Sequence, residues 1–298
     1  MTLLRRFVVL LLAVAVAACG KGTDASVATP GTSKVALWEV SDSSGPRAWI
    51  FGTVHALPPG TPWQRPAIGE ALAKADRLVL EIGEDINPQI AGEALSRLAL
   101  TPGLPPASAR VDPAYRADLF KSYHRLGLRD QSFPDQETWA VALQIAAISG
   151  EKNDVHAVDG VEPELRRLAK GKPIVGLETI DGQFAIFDTL PEPQQKTLLE
   201  QTVVEVASPE DEERQLLDLW LRGDDLGIAR ESSKGFLADQ ALRTALLSGR
   251  NAAWLKQVET MLKGGARPFI AVGAAHVSGP DGLPALLAGH GWTVKRVP

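Results

Sequence analysis

Two phrases of the chain end alike. In WIFGTVHAL (49–57) and FIAVGAAHVSG (269–279) an apolar run stops at a glycine and a histidine follows, giving Gly52-x-x-His55 and Gly273-x-x-His276 in a chain with only 5 histidines. An apolar run of this kind reads as a buried strand, and the loop beyond it can turn an imidazole into a cleft at the sheet edge. The glycine permits a sharp turn or a close approach by another segment. Two such strands side by side would aim His55 and His276 at a common point. Convergent imidazoles begin either a transition-metal site or an acid/base pair. The plainer alternative is that each histidine ties down its own loop.

Two glutamates lie at similar places: Glu81 in RLVLEIGED and Glu178 in KPIVGLET. A carboxylate at the end of a buried strand is costly unless paired, hydrogen-bonded or metal-bound. Two histidines and one glutamate form an open ligand set with room for water and substrate, and a second glutamate could serve as general base. Equally, Glu81 and Glu178 could be salt-bridged to framework arginines or cap the helices that follow. Glu84, Asp85 and Asp181 lie nearby in more loop-like sequence. In SGRN, Arg250 and Asn251 open an amphipathic stretch and offer a cation and an amide for an anionic or carbonyl group. Arg250 could instead pair with one of the glutamates. His124 falls on an amphipathic segment and His290 near a helix C-terminus, where an imidazolium complements the dipole. His156, beside AVDG, is a weaker candidate for the site.

The elements that must position these groups follow from periodicity. VALWEV and RAWIFGTV, joined by SDSSGP, predict a hairpin. Ala67, Ile68, Ala71, Leu72 and Ala75 keep helical spacing before the strand Leu78 to Ile82. Helices are expected over 88–100, 113–126 and 137–149, with several more between Asp181 and Leu247. EPELRRLAKG is a further helix with Gly171 as its stop, followed by the strand-like KPIVGLET. Trp254, Val258, Met261 and Leu262 form one helix stripe, and the chain closes with the strand RPFIAV, a loop, a helix over 283–288 and the strand WTVKRV. The expected fold class is α/β (α+β). A central sheet is built from N- and C-terminal strands, and a large helical insertion packs on it or forms a lid.

A net charge of -5 with 22% charged residues gives no basic field for nucleic acid. MTLLRRFVVLLLAVAVAACGKG carries Arg5 and Arg6, then an apolar run and small residues, the pattern of a secretory signal peptide. Val16-Ala17-Ala18-Cys19 resembles the lipobox of bacterial lipoproteins, which would make Cys19, the only cysteine, the lipidated mature N-terminus. The expected organisation is a signal peptide over 1–18, a flexible tether over 19–33 and one domain over 34–298. Gly20 after Cys19 suits sorting to the outer membrane, with the domain most simply facing the periplasm.

Taken together, WIFGTVHALPPG, LVLEIG, GKPIVGLETIDGQ, RN..W and FIAVGAAHVSGPDGLPALLAGHGWTVKRV resemble the TraB/PrgY/GumN (TIKI-like) family, from about Leu37 to Val297. The resemblance implies a TIKI/erythromycin-esterase-like fold in which the two Gly-x-x-His turns meet at one cleft. Together with the leader and Cys19 it makes an exported, lipid-anchored, metal-dependent peptidase the leading expectation. His55, Glu81 and His276 would hold Mn²⁺, Co²⁺ or Zn²⁺, Glu178 would move the proton, and Arg250 and Asn251 would steady the oxyanion of a peptide or protein substrate. Two alternatives stay open at this level. One is a metal-free hydrolase with a histidine as base. The other is a non-catalytic envelope lipoprotein that binds haem, a metal or an envelope polymer.

Overall fold

The computed structural model describes residues 33–54, 57–58, 60–85, 88–152, 160–207 and 213–298. The segments with Cys19, the signal peptide, His55 and His156 lie outside the described residues. Six strands form one sheet: β1 (Leu37–Asp42), β2 (Gly45–Thr53), β3 (Arg77–Ile82), β4 (Ile174–Glu178), β5 (Pro268–Gly273) and β6 (Thr293–Arg296), in the order β4-β3-β5-β2-β1-β6. The helices are α1 (Pro66–Lys74), α2 (Pro88–Leu98), α3 (Ala107–Arg110), α4 (Arg116–Leu126), α5 (Thr138–Lys152), α6 (Val161–Leu168) and α7 (Ile180–Asp188). They continue with α8 (Glu192–Val206), α9 (Glu213–Arg222), α10 (Asp225–Glu231), α11 (Gln240–Arg243), α12 (Gly249–Lys263) and α13 (Leu283–Gly289). Among the described residues no helix is long and apolar enough to cross a membrane.

The mixed α/β class expected from the sequence is what the chain adopts, with one addition. The sheet also takes a mid-chain strand, β4, at its edge. β1 pairs antiparallel with β2 and β6, while β2, β5, β3 and β4 run parallel to one another. Their carboxyl ends therefore share one edge. β5, from near the chain's end, fills the slot that the β2–α1–β3 crossover leaves open. Such a break in strand order opens a crevice beyond the carboxyl ends.

Strand alternation sorts the side chains into two cores. Phe51, Leu80 and Phe269 face α1 and the insertion, sharing a core with Trp139, Leu198 and Phe236. Ile50, Val79 and Ile270 face the other way, against Trp254, Val258 and Leu262 of α12 and Leu283 and Leu287 of α13. The helical insertion is thus packed on one sheet face. Within it the rings of Trp139 and Phe187 stack at 6.2 Å. Two positions after Val79, Glu81 falls on the α12 face, which is how a buried strand comes to present a carboxylate to that helix.

Candidate functional site

The strands that run into the two Gly-x-x-His phrases, β2 and β5, are adjacent and parallel, with a slip. Gly52 pairs with Val272 and Thr53 with Gly273, so the two glycines are offset by one register position. Their roles differ accordingly. A Cβ on Gly52 would come within 2.7 Å of Val277 Cγ2 and 3.1 Å of Ala274 Cα, so Gly52 is the floor on which the His276 turn sits. Gly273 opens the 3₁₀ turn Ala274–Val277, and its N–H donates to Glu81 Oε1 at 2.7 Å. One glutamate thus ties β3 to the start of the histidine turn on β5.

The turn delivers His276 to α12. Asn251 Nδ2 donates to the carbonyl oxygens of Asp281 (2.7 Å) and His276 (3.3 Å). With its nitrogen so engaged, the Asn251 amide turns Oδ1 toward His276 Nδ1 at 2.6 Å. Nδ1 must therefore carry the proton, and the lone pair of the neutral ring lies on Nε2. That lone pair faces Arg250 Nη1 at 3.2 Å.

Arg250 is the hub. Its Nε donates to Glu178 Oε1 (2.9 Å) and its Nη2 to Glu178 Oε2 (2.7 Å) and Glu81 Oε2 (2.8 Å). The fork-on-fork geometry with Glu178 is the strong bidentate form of this pair. Arg250 and Glu81 are each 6% exposed and His276 1%. Burial alone would push the guanidinium down. The charges and hydrogen bonds of Glu81 and Glu178 outweigh that and hold it above the ordinary arginine range.

Local helix geometry makes this reach possible. The turn Thr244–Ser248 is a π-helix running into α12, with Gly249 N–H donating to Thr244 O. Arg250 Nη1 also donates to Leu246 O at 3.3 Å. Irregular turns of this type often serve to aim a side chain. One helical turn on, Trp254 gives its Nε1–H to Glu178 Oε1 (2.9 Å) and lays its ring 4.4 Å from that of His276 and 4.7 Å from the guanidinium.

Of the expected site residues, Glu81, Glu178, Arg250, Asn251 and His276 are brought together. The plainer option for Arg250, a salt bridge to a glutamate, holds for both glutamates. Glu178 has both oxygens on Arg250 and one also on Trp254, and Asn251 grips the His276 turn. In this arrangement both hold protein groups in place. His290 pairs with Glu259 (3.4 Å), away from this network. Periodicity did not bring out Gln183, whose Nε2 donates to Glu81 Oε2 (3.3 Å) and Glu178 Oε2 (3.5 Å). Nor did it bring out Arg166, which binds the carbonyls of Ile82, Gly83 and Glu84 and fixes the turn after Glu81. Trp254 belongs both to the core stripe and to the RN..W motif, and its spacing from Arg250 puts the two on one helix face.

A divalent metal needs lone pairs that this network already engages. Among the described residues no group of three or more histidine, cysteine or carboxylate side chains is placed to hold one. Glu81 Oε2 and His276 Nε2 both receive Arg250, so the described donors, as they stand, do not fit a metal ion; His55 lies outside the described residues.

Comparison with known proteins bears on the family. The chain is 25% identical over 222 residues to the uncharacterized protein YbaP of Escherichia coli (strain K12), covering 72% of this chain and 78% of that one. The YbaP protein of Shigella flexneri matches to the same extent. No solved structure matches. The profile of the TraB/PrgY/gumN family spans residues 36–296, from the start of β1 through β6, and the chain belongs to that family.

Proposed function

We propose that the chain is an exported, lipid-anchored hydrolase that splits a peptide or ester carbonyl with water. The observation that carries this reading is His276. It is a neutral imidazole with one nitrogen fixed by Asn251 and its lone pair turned toward a buried guanidinium. An oriented base beside a fixed hydrogen-bond donor is the minimal equipment for hydrolysis.

The Arg250–His276 contact, at 3.2 Å, is longer than the Arg250–carboxylate bonds. At 3.2 Å the two nitrogens touch directly, so an attacking water must displace that contact, accepting from Nη1 and donating to Nε2. As Nε2 takes its proton, the water oxygen adds to the carbonyl carbon, and the carbonyl electron pair moves onto oxygen. Nη1 donates to that oxyanion. Imidazolium then returns the proton to the leaving amine or alcohol as the C–N or C–O bond breaks, leaving a carboxylic acid. Glu81 and Glu178 hold the guanidinium, and Asn251 holds the ring. No step requires a metal. His55, past the end of neighbouring β2, is the further group expected at this edge.

Export and anchoring rest on the leader and Cys19, and a peptide or protein substrate on the family resemblance. A second reading draws on one observation. His276, Arg250 and Asn251 are almost wholly buried and bond to other protein groups, which suits a rigid scaffold that holds haem, a metal or an envelope polymer without turnover. The test is product formation from a panel of peptides and carboxylic esters, read by mass spectrometry, for wild type and His276→Asn. Hydrolysis lost in the variant supports the enzyme; binding without product supports the scaffold.

A further inference from the structure

The resemblance implies a divalent cation at this edge of the sheet, whereas the described donors converge on a side chain. Glu178 holds Arg250 with both oxygens and Glu81 with one, while His276 offers it the single lone pair of the ring. We infer that Arg250 is the permanent cation of this site, standing where a metal ion would, and that the chain's site works without a divalent metal.

Three features support this independently of turnover. The lone pairs that would coordinate a metal are those that receive the guanidinium, so the two cations compete for one place. Arg250 is also held from its own helix, by Leu246 O at 3.3 Å and by the face of the Trp254 ring 4.7 Å from its guanidinium carbon, so it is seated rather than swung in. Gln183 completes the arrangement by donating to both carboxylates, supplying N–H where a metal would require an acceptor. A guanidinium also keeps its charge across the accessible pH range, so this cation is not lost to chelators or acid. The inference deepens the hydrolase reading by naming what neutralises the carboxylates. Its test reads metal binding, so the two can fail separately.

The full chain, treated with chelator, would be titrated with Mn²⁺, Co²⁺ and Zn²⁺ in turn by calorimetry, with thermal unfolding measured alongside. Wild type is expected to bind none of them tighter than roughly millimolar, with no change in melting temperature. Arg250→Ala bares Glu81, Glu178 and His276, and is expected to bind one equivalent at least tenfold tighter than wild type and to melt higher with metal. Arg250→Gln, neutral but still able to donate to one carboxylate, carries the same expectation if Arg250→Ala fails to fold. One equivalent bound by wild type, and lost in Glu81→Gln and His276→Asn, would overturn the inference. Arginine variants that bind metal no better than wild type would also overturn it.

Discussion

Arg250 meets His276 at the one ring nitrogen that carries a lone pair, Nη1 to Nε2 at 3.2 Å. The next residue of the same helix, Asn251, holds the other nitrogen. Two consecutive side chains of α12 thus define the tautomer, the tilt and the immediate partner of a histidine that comes from a different strand. This relationship joins the helix face, the buried carboxylates and the histidine turn into one unit, and each joint can be broken separately.

Removing the amide should release the ring. Asn251→Ala leaves Nδ1 of a buried imidazole without its acceptor, costing about 1–3 kcal/mol of stability. Nitrogen-15 shifts of His276 should report one tautomer, protonated at Nδ1, in wild type and a mixture in the variant. A single unchanged tautomer would show that Asn251 does not set it.

The carboxylate–guanidinium cluster should be strongly non-additive. Arg250→Ala strands the buried Glu81 and the largely buried Glu178 and is expected to cost about 3–5 kcal/mol, as is typical when one partner of a buried pair is removed. Adding Glu81→Gln to that variant should restore part of the loss. Urea unfolding of the two single variants and the double variant gives the coupling energy directly. Costs that simply add would mean the three groups are not one network.

How much of this was readable beforehand depended on sequence distance. Glu81, Arg250 and His276 each announced themselves locally, as a charge or an imidazole at the end of an apolar run or the start of a helix. The alternation that places Glu81 on the Val79 face also follows from the strand pattern. The pairings do not. Arg250 and Glu81 are 169 residues apart, and nothing in either neighbourhood encodes which arginine neutralises which glutamate. Pattern alone also could not give β5 its slot between β2 and β3, because that order arises from a crossover that skips a position. Nor could it give the one-residue slip between the glycines. Gln183 was hidden for a simpler reason: an amide in the first turns of a helix is common, and only its position beside two carboxylates makes it notable.

Gly52 offers a steric test of how tightly the His276 turn is packed on β2. Gly52→Ala should cost about 1–3 kcal/mol, because Val277 and the backbone of Ala274 must move. It should also shift the His276 resonances. Gly69→Ala, in the middle of α1 with nothing within 4 Å of the added carbon, is the control. It is expected to stabilise by about 0.5–1 kcal/mol through helix preference alone. Equal effects of the two substitutions would contradict the packing described.

Trp254 separates donor from ring. Trp254→Phe keeps an aromatic face against His276 and Arg250 but loses the Nε1–H bond to Glu178. The expected loss is about 1–3 kcal/mol, since the acceptor is a charged, largely buried carboxylate. Trp254→Leu should cost more and should also broaden the His276 signals. If both variants melt with wild type, Trp254 contributes neither contact.

The most direct test of the central claim, that His276 activates water for attack on a carbonyl, is isotope incorporation. The full chain would be incubated in oxygen-18 water with a peptide and ester panel and the carboxylate products weighed. One labelled oxygen is expected in each new carboxylate, with the rate falling at least a hundredfold in His276→Asn. Product formed at the wild-type rate by His276→Asn, or product that carries no label, would contradict it.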